Sequence, residues 1–297
     1  MRRVVLAACD EDRSPVAFAR AVAPLLDANV RLVAIRSTSG LTDAEPDTGT
    51  HVLFAGVHVE HAASAAAGLQ RLIATERPVL TVLGSAHDAA HGRVRVGGTA
   101  ERVLHGAASA VAVVPRGHGE RPLGTVGVGL LPTTDSRRAL RFAAALARAA
   151  GAPLLVLTVL RRSPDPADAA RFAASLAPAP VRGWERGDAA SILRAAIEAA
   201  AREDEPGLEV QPLVLVGDPV DTLLRASGRL GVLVLGSRAY GPPGVVLPGG
   251  AARGTLAGAR CPVMLVPRAD VGDARLTARV ASSTRPEGSY SPSPEAA

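Results

Sequence analysis

Short, almost continuously apolar runs alternate with longer amphipathic stretches along most of the chain. The runs fall at Val4–Ala8, Arg31–Ile35, His51–Val57, Val79–Leu83 and Val111–Pro115, then again at Val126–Leu130, Leu154–Val159, Glu209–Val216, Val232–Gly236 and Val263–Pro267. Runs this short and this uniformly apolar predict strands buried on both faces. The stretches between them repeat at helical spacing. Over 135–150 the apolar stripe is Ala139, Phe142, Ala143 and Leu146, with Thr134, Asp135 or Ser136 as N-cap and Gly151 ending the helix. Further helices are predicted over 188–202, 219–229 and 250–258. Ser14-Pro15 reads as a cap followed by proline at the first helical position, and Pro24 should kink or shorten the helix it opens. Strand and helix in alternation predict an α/β fold around a parallel sheet covered on both faces.

The pattern runs through twice. Gly84-Ser85 and Gly236-Ser237, Gly97-Gly98 and Gly249-Gly250, Leu104 and Leu256, Gly106 and Gly258, and Val114-Pro115-Arg116 and Val266-Pro267-Arg268 are each 152 positions apart. A fixed offset held over about thirty residues marks a duplicated domain. The front parts align at an offset of 122, through Ser14 with Ser136, Ala21 with Ala143 and Leu32 with Leu154. The second copy therefore carries 30 more residues, placed within Arg161 to Gln211. They include the helix predicted over 188–202. The first copy has only the polar loop Thr38–Thr50 there, and reads as having lost a crossover helix. These limits give a shortened first domain over 1–118, a linker over 119–124, a second domain over 125–269, and a polar tail over 270–297 expected to be disordered.

Composition leaves this picture intact and narrows the function. With 47% hydrophobic but only 2% aromatic residues, the cores must be built from Val, Leu and Ala. All 33 basic residues are arginine, and the pI of about 10.3 resembles a nucleic-acid signal. The arginines are interleaved with 28 acidic residues, however, and few aromatics are available to stack bases, so no nucleic-acid partner is expected. No apolar run reaches the length of a membrane span, and Asp10-Glu11-Asp12 interrupts the first apolar stretch in a way that argues against a signal peptide. Cys9 and Cys261 make no disulfide framework and read as small buried hydrophobes. A cytoplasmic protein without a membrane partner is the expectation.

The positions that could carry chemistry cluster where strands turn into helices. Gly84 and Gly236 end apolar strands, and Gly97-Gly98 and Gly249-Gly250 open helices. Glycines there let backbone N–H groups approach phosphate oxygens at the positive end of a helix. They also serve the tight turns of any doubly wound sheet. No G-x-x-x-x-G-K-[ST] loop can form without lysine, no G-x-S-x-G elbow occurs, and Gly127-x-Gly129 lies inside a strand. His58-x-x-His61 has metal-like spacing with only Glu60 beside it, and reads as surface histidines at a strand-to-helix turn. His87 and His91 fall in a loop, and Trp184 stands alone in the insert. No nucleophile is set beside a base. Neither a catalytic residue nor a metal site is expected.

The back of the second copy, a strand followed by Gly236-Ser237-Arg238, Tyr240-Gly241-Pro242, Leu247-Pro248-Gly249-Gly250 and a helix closing on CPVMLVPR, resembles the universal stress protein family. So do GSAHDAAHGRVRVGGTAERVLHGAASAVAVVPRG in the first copy and Gly217-Asp218-Pro219 in the second. The resemblance covers about residues 1–268. It implies two tandem Rossmann-like domains, related to the adenine nucleotide alpha hydrolase-like fold, each a five-stranded parallel sheet flanked by helices. It also implies a stress-response role, with ATP as the cofactor many members hold on G-x-x-G, nine residues, then G-S/T, with an Asp ending the first strand. The first copy keeps Gly84, Gly97 and Asp10, has His87 at the second glycine and Gly98 at the hydroxyl position, and offers Thr99 one step on. The second keeps Gly236 and Gly249, has Ala239 and Gly250 at those positions, and ends its first strand Leu130-Leu131-Pro132 without an acid. Asp135 nearby reads as a helix cap.

The candidate nucleotide-binding residues are therefore Asp10, Gly84, Gly97, Gly98 and Thr99, with Gly236, Gly249 and Gly250 in the second copy. The set is degenerate. One missing hydroxyl donor to a phosphate costs about 1.5–3 kcal/mol, or roughly ten- to a hundredfold in affinity. In the family the last strand pairs across a dimer, so strands 110–115 and 262–267 are expected to pair within the chain as a pseudo-dimer. A further homodimer and unidentified protein partners complete the expected associations. The function expected is that of a non-catalytic stress-response protein with degenerate nucleotide binding. Two alternatives stay open: an ATP-binding switch or weak ATPase using the first domain, and a scaffold that binds proteins independently of nucleotide.

Overall fold

The computed structural model describes residues 3–9, 11–38, 56–131, 134–176, 188–237 and 244–267. Among them ten strands form one sheet. The first half contributes β1 (Arg3–Ala8), β2 (Ala28–Ser37), β3 (Val57–Ala62), β4 (Leu80–Gly84) and β5 (Ala110–Val114). The second contributes β6 (Val126–Gly129), β7 (Leu154–Leu160), β8 (Val210–Val216), β9 (Val232–Gly236) and β10 (Val263–Val266). Their order is β3-β2-β1-β4-β5-β10-β9-β6-β7-β8. Neighbours within each half are parallel, and the halves meet where β10 runs antiparallel to β5. Parallel neighbours need crossovers. The helices are α1 (Ser14–Val22), α2 (Ala65–Glu76) and α3 (Gly98–Leu104) in the first half, and α4 (Thr134–Ala150), α5 (Pro166–Leu176), α6 (Ala189–Asp204), α7 (Pro219–Ser227) and α8 (Gly250–Leu256) in the second.

Alternate strand residues point to opposite faces, which divides the core into two layers. Val5, Ala7, Leu80 and Val82 face Phe18 and Val22 of α1, while Leu6, Val33 and Leu83 face Leu69, Leu72 and Ile73 of α2. Phe18, Phe142 and Phe172 are the large rings of the first layer, and the rest is aliphatic. Where the halves join, Val263 lies opposite Val113, Met264 opposite Ala112 and Leu265 opposite Val111. The 152-residue repeat exchanges Val111 with Val263, Ala112 with Met264 and Val113 with Leu265, so the pairing maps onto itself. A local two-fold therefore passes between Ala112 and Met264. One hydrogen bond is likewise repeated in both directions: Val94 N–H to Ala259 O at 2.7 Å, and Val246 N–H to Ala107 O at 2.9 Å.

Strand register corrects the offset of the front halves. Val5 lies beside Leu80 as Val126 lies beside Val232, while Val30 and Leu154 are the respective partners in the second strands. The first strands are thus offset by 121 and the second by 124, not uniformly by 122. The cause is local. Helix α1 stops at Val22, and Pro24 opens a single 3-10 turn closed by Asp27 in the left-handed region (φ 48°). Helix α4 runs on for 17 residues to a Gly151 terminus with φ +60°, where Gly151 N–H reaches Arg148 O and Ala152 N–H reaches Ala147 O.

Other expectations shift as well. The third strand of the first half is Val57–Ala62 rather than 51–57, and residues 51–55 lie outside the described set. His58 and His61 accordingly sit within β3, where Glu60 bonds His58 and Arg71, and not at a strand-to-helix turn. Ser14 is not a cap. Its Oγ donates to Asp12 Oδ1 at 2.5 Å and accepts the His118 N–H, while Asp12 accepts the Ser14 amide. The insert holds two helices, α5 and α6, where the pattern had shown one. Asp188 caps α6 by accepting the Ser191 amide, the bond that chiefly holds its carboxyl below the usual range. The polar loop read as a lost crossover helix, Trp184 and the tail over 270–297 fall largely or wholly outside the described residues.

The segment between the halves is anchored rather than loose. His118 is 8% exposed, its ring meets Phe18 edge-on at 5.8 Å, and Arg121 Nη2 lies 3.2 Å from its Nδ1. An arginine can only donate, so Nδ1 carries no proton. Burial, and then the Arg121 charge, lower the His118 pKa to about 4, with Asp12 pulling weakly the other way. The folded state therefore favours the neutral ring. Its contribution is complete above the unfolded value of about 6.5 and is lost as pH falls toward 4. Urea unfolding should show stability dropping by about 3 kcal/mol more between pH 7 and pH 4 in the wild type than in His118→Gln. Parallel pH profiles for the two proteins would contradict this.

Candidate functional site

In an open α/β sheet, ligands bind beyond the carboxyl ends of the strands where the strand order reverses. Each half has such a point, beside β1 and β4 in the first and beside β6 and β9 in the second. Each has a cleft there.

The first cleft encloses about 920 Å³. Its floor is Ala8, Cys9, Val33 and Leu83, and its wall is the chain from Ser85 to Gly98. That wall is held as a closed loop. Ala86 N–H donates to Arg95 O at 2.7 Å, and Ser85 Oγ donates to Val114 O at 2.7 Å. Arg116 donates to His87 O at 2.6 Å, and Gly92 N–H to Arg116 O at 2.8 Å. Arg95 pairs with Asp88 at 2.5 Å on the rim. Glu11 and Asp12 line the opposite side. Helix α3 starts from Gly97 in extended conformation without a side-chain cap, and Gly97, Gly98 and Thr99 all line the cleft. A Cβ on Gly98 would meet nothing within 4 Å, and one on Gly97 would come to 3.3 Å from Ala86 Cβ. Gly98 is thus not a glycine for packing or for a left-handed backbone.

The second cleft is smaller, about 390 Å³, and different in kind. Strand register and the 152 repeat place its lining residue by residue on the first: Gly129 on Ala8, Leu130 on Cys9, Leu235 on Leu83, Gly249 on Gly97, Ala251 on Thr99. Ser237 is consumed by its own loop, accepting the Leu247 N–H at 2.7 Å and contacting the Val245 and Leu247 carbonyls. Among the described lining residues none carries an ionisable side chain. Helix α7 borders this cleft from the Gly217-Asp218-Pro219 turn, in which Asp218 accepts the Asp221 amide at 3.0 Å.

The structure thus brings Gly84, Gly97, Gly98 and Thr99 into one cleft, and Gly236, Gly249 and Gly250 into the other. Asp10 and Ala239 lie outside the described residues. His87, at the position of the second glycine, has no left-handed backbone, so glycine is not required there. Sequence reasoning passed over Arg95, Asp88 and Arg116, whose part in the wall depends on how the loop closes. It also read the Gly-Ser serines only as markers of the repeat, whereas both pin the loop. Cys9 is half-buried and lines the first cleft, whereas Cys261 is fully buried and its thiol is pushed up to about 12. Among the described residues no cluster of three or more His, Cys, Asp or Glu could hold a metal ion, and no helix is long and apolar enough to cross a membrane.

Residues 123–267 match the universal stress protein family. No curated protein matches the chain. Among solved structures the chain is similar to a Pseudomonas aeruginosa UCBPP-PA14 protein assigned to the universal stress proteins, at 15% identity and TM-score 0.58, covering 94% of this chain and 96% of that one. It is also similar to a universal stress protein from Archaeoglobus fulgidus DSM 4304, at 16% identity and TM-score 0.57, covering 90% and 97%. At such identities the likeness speaks for the fold, and it extends over both halves. Residues 123–267 are therefore similar in sequence to the universal stress protein family, and the first half is built on the same fold.

Proposed function

We propose that the chain is a non-catalytic, cytosolic stress-response protein of two fused domains, over 1–118 and 125–269, that binds ATP in the cleft of the first. The observation that carries this reading is the contrast between two equivalent clefts. The first is larger and lined with charged and hydroxyl groups, and the second is smaller and, among its described residues, lined without an ionisable group. In the first, Gly97 and Gly98 leave room for phosphate oxygens to approach the backbone, and Thr99 supplies the hydroxyl that Gly98 lacks. Asp10 follows β1 in sequence and is assigned to the nucleoside. Gly236, Gly249 and Gly250 keep the backbone shape in the second half, without those polar companions among the described residues. Fusion of the halves through β5 and β10 makes the chain its own pseudo-dimer.

Equilibrium dialysis of the full chain with labelled ATP tests this reading. One ATP per chain is expected. Thr99→Ala should weaken binding roughly ten- to a hundredfold through loss of one charge-assisted hydrogen bond. Gly97→Val, which fills the space before Ala86, should abolish it. Absence of binding at millimolar ATP would leave the protein-scaffold reading in its place.

A further inference from the structure

The second cleft carries more than the loss of a nucleotide site. We infer that it binds a small, uncharged, largely apolar molecule, an aromatic or short aliphatic compound, independently of whatever the first cleft holds.

The register of the sheet makes the case by substitution. Counting on from Val5 and Val126, which occupy equivalent places, the residue at the position of Asp10 is Leu131. Where the first half has Cys9, Thr99 and Arg95, the second has Leu130, Ala251 and Leu247. Each of these changes removes a polar or charged group. Leu131 is 50% exposed and lines the cleft, one of few large apolar side chains left open to water among the described residues. The other walls are Leu157, Val159, Leu223 and Leu235.

The hollow is also maintained. A Cβ on Gly129 would lie 2.5 Å from Leu235 Cδ2, so glycine in β6 leaves the Leu235 side chain its present place in the cleft wall. On the opposite lip, side chains on Gly249 and Gly250 would meet nothing within 4 Å, and neither residue has a left-handed backbone. Packing would accept a larger residue at either place, yet the space stays open. The hydroxyls that could solvate a charge are engaged: Ser237 within its loop, and Ser136 by the Leu131 N–H at 3.2 Å. A volume near 390 Å³ lies within the range of small-molecule sites, about 300–1,000 Å³. A phosphate placed there would lose water without gaining a cation from the described lining, which is costly. An apolar molecule would cover Leu131 and its neighbours and gain from doing so.

The test uses the full chain and N-phenyl-1-naphthylamine, an uncharged probe that fluoresces in apolar surroundings. Saturable binding of one probe per chain is expected. Leu131→Glu puts a charge at a half-exposed position, and Gly250→Val fills the lip at a place where an added Cβ meets nothing within 4 Å. Each should weaken the probe by at least about tenfold. Gly97→Val, in the first cleft, should leave it unchanged. Unsaturable binding, or binding indifferent to both Leu131→Glu and Gly250→Val, overturns the inference. So does ATP binding that Gly250→Val removes, which would make the second cleft a nucleotide site. Failure of ATP to bind anywhere would remove the reading of the first cleft and leave this one standing.

Discussion

Gly231→Ala should lower the melting temperature by roughly 5–6 °C, although the change adds one methyl group. An ideal Cβ on Gly231 would fall 1.2 Å from Leu123 O and 2.2 Å from Leu123 C. These are backbone atoms, so no rotamer relieves the overlap, and the connecting segment must move. That segment is anchored at this point. Leu123 is buried in the second half's core, and Gly231 N–H donates to Thr125 O at 2.9 Å. Displacing it forfeits about 1.5–3 kcal/mol of Leu123 burial and about 1 kcal/mol of hydrogen bonding. A loss near 3–4 kcal/mol corresponds to a shift of that size for a chain this long. The first half supplies its own control. Val79 N–H makes the equivalent bond to Val4 O at 2.9 Å, and that place holds a valine. A Gly231→Ala melting temperature within about 2 °C of wild type would contradict the argument.

How far this arrangement could be read from the residues depends on the kind of signal each part gives. The strands of the second half were legible almost to the residue, because a parallel sheet needs short apolar runs and the chain supplies them unbroken. The back halves were legible for a second reason: their glycines and the Val-Pro-Arg triplets repeat without a gap, so one copy checks the other. The front halves misled by one and two residues. Ser14 with Ser136 and Leu32 with Leu154 look aligned, but Pro24 shortens the first connection, and only strand pairing reveals the slip. That slip matters at the site. At an offset of 122 the position of Asp10 falls on Pro132, whereas counting on from the paired strands puts it on Leu131, an apolar residue of the cleft wall. The β3 strand was displaced because Val57–Ala62 carries two histidines and a glutamate, as an edge strand with one side toward water can, and the apolar segment before it drew the reading forward. Arg95, Asp88 and Arg116 gave no periodic signal at all. Their placement follows from the closure of the Ser85–Gly97 loop, which depends on contacts across the chain.

Met264→Glu should leave no soluble, cooperatively folded chain, whereas Met264→Leu should cost less than about 1.5 kcal/mol. Met264 and its partner Ala112 are both 0% exposed and stand at the centre of the ten-stranded sheet, under α1 on one side of the local two-fold and α4 on the other. A carboxylate there must either stay ionised without water or take up a proton. Either course costs several kcal/mol against a total margin of about 5–15 kcal/mol. The damage would not stop at one side chain. If β10 leaves β5, each half presents a fully apolar strand with open hydrogen-bonding groups, a template for uncontrolled pairing with other chains. The outer edge offers the comparison that separates burial from mere strand position. Val216 ends β8 at the far side of the sheet and is 56% exposed, so Val216→Glu should change stability by no more than about 0.5 kcal/mol. Soluble yield and thermal unfolding followed by circular dichroism distinguish the three variants. A Met264→Glu protein that folds and melts within a few degrees of wild type would mean that the centre of the sheet is not the joint on which the two halves depend.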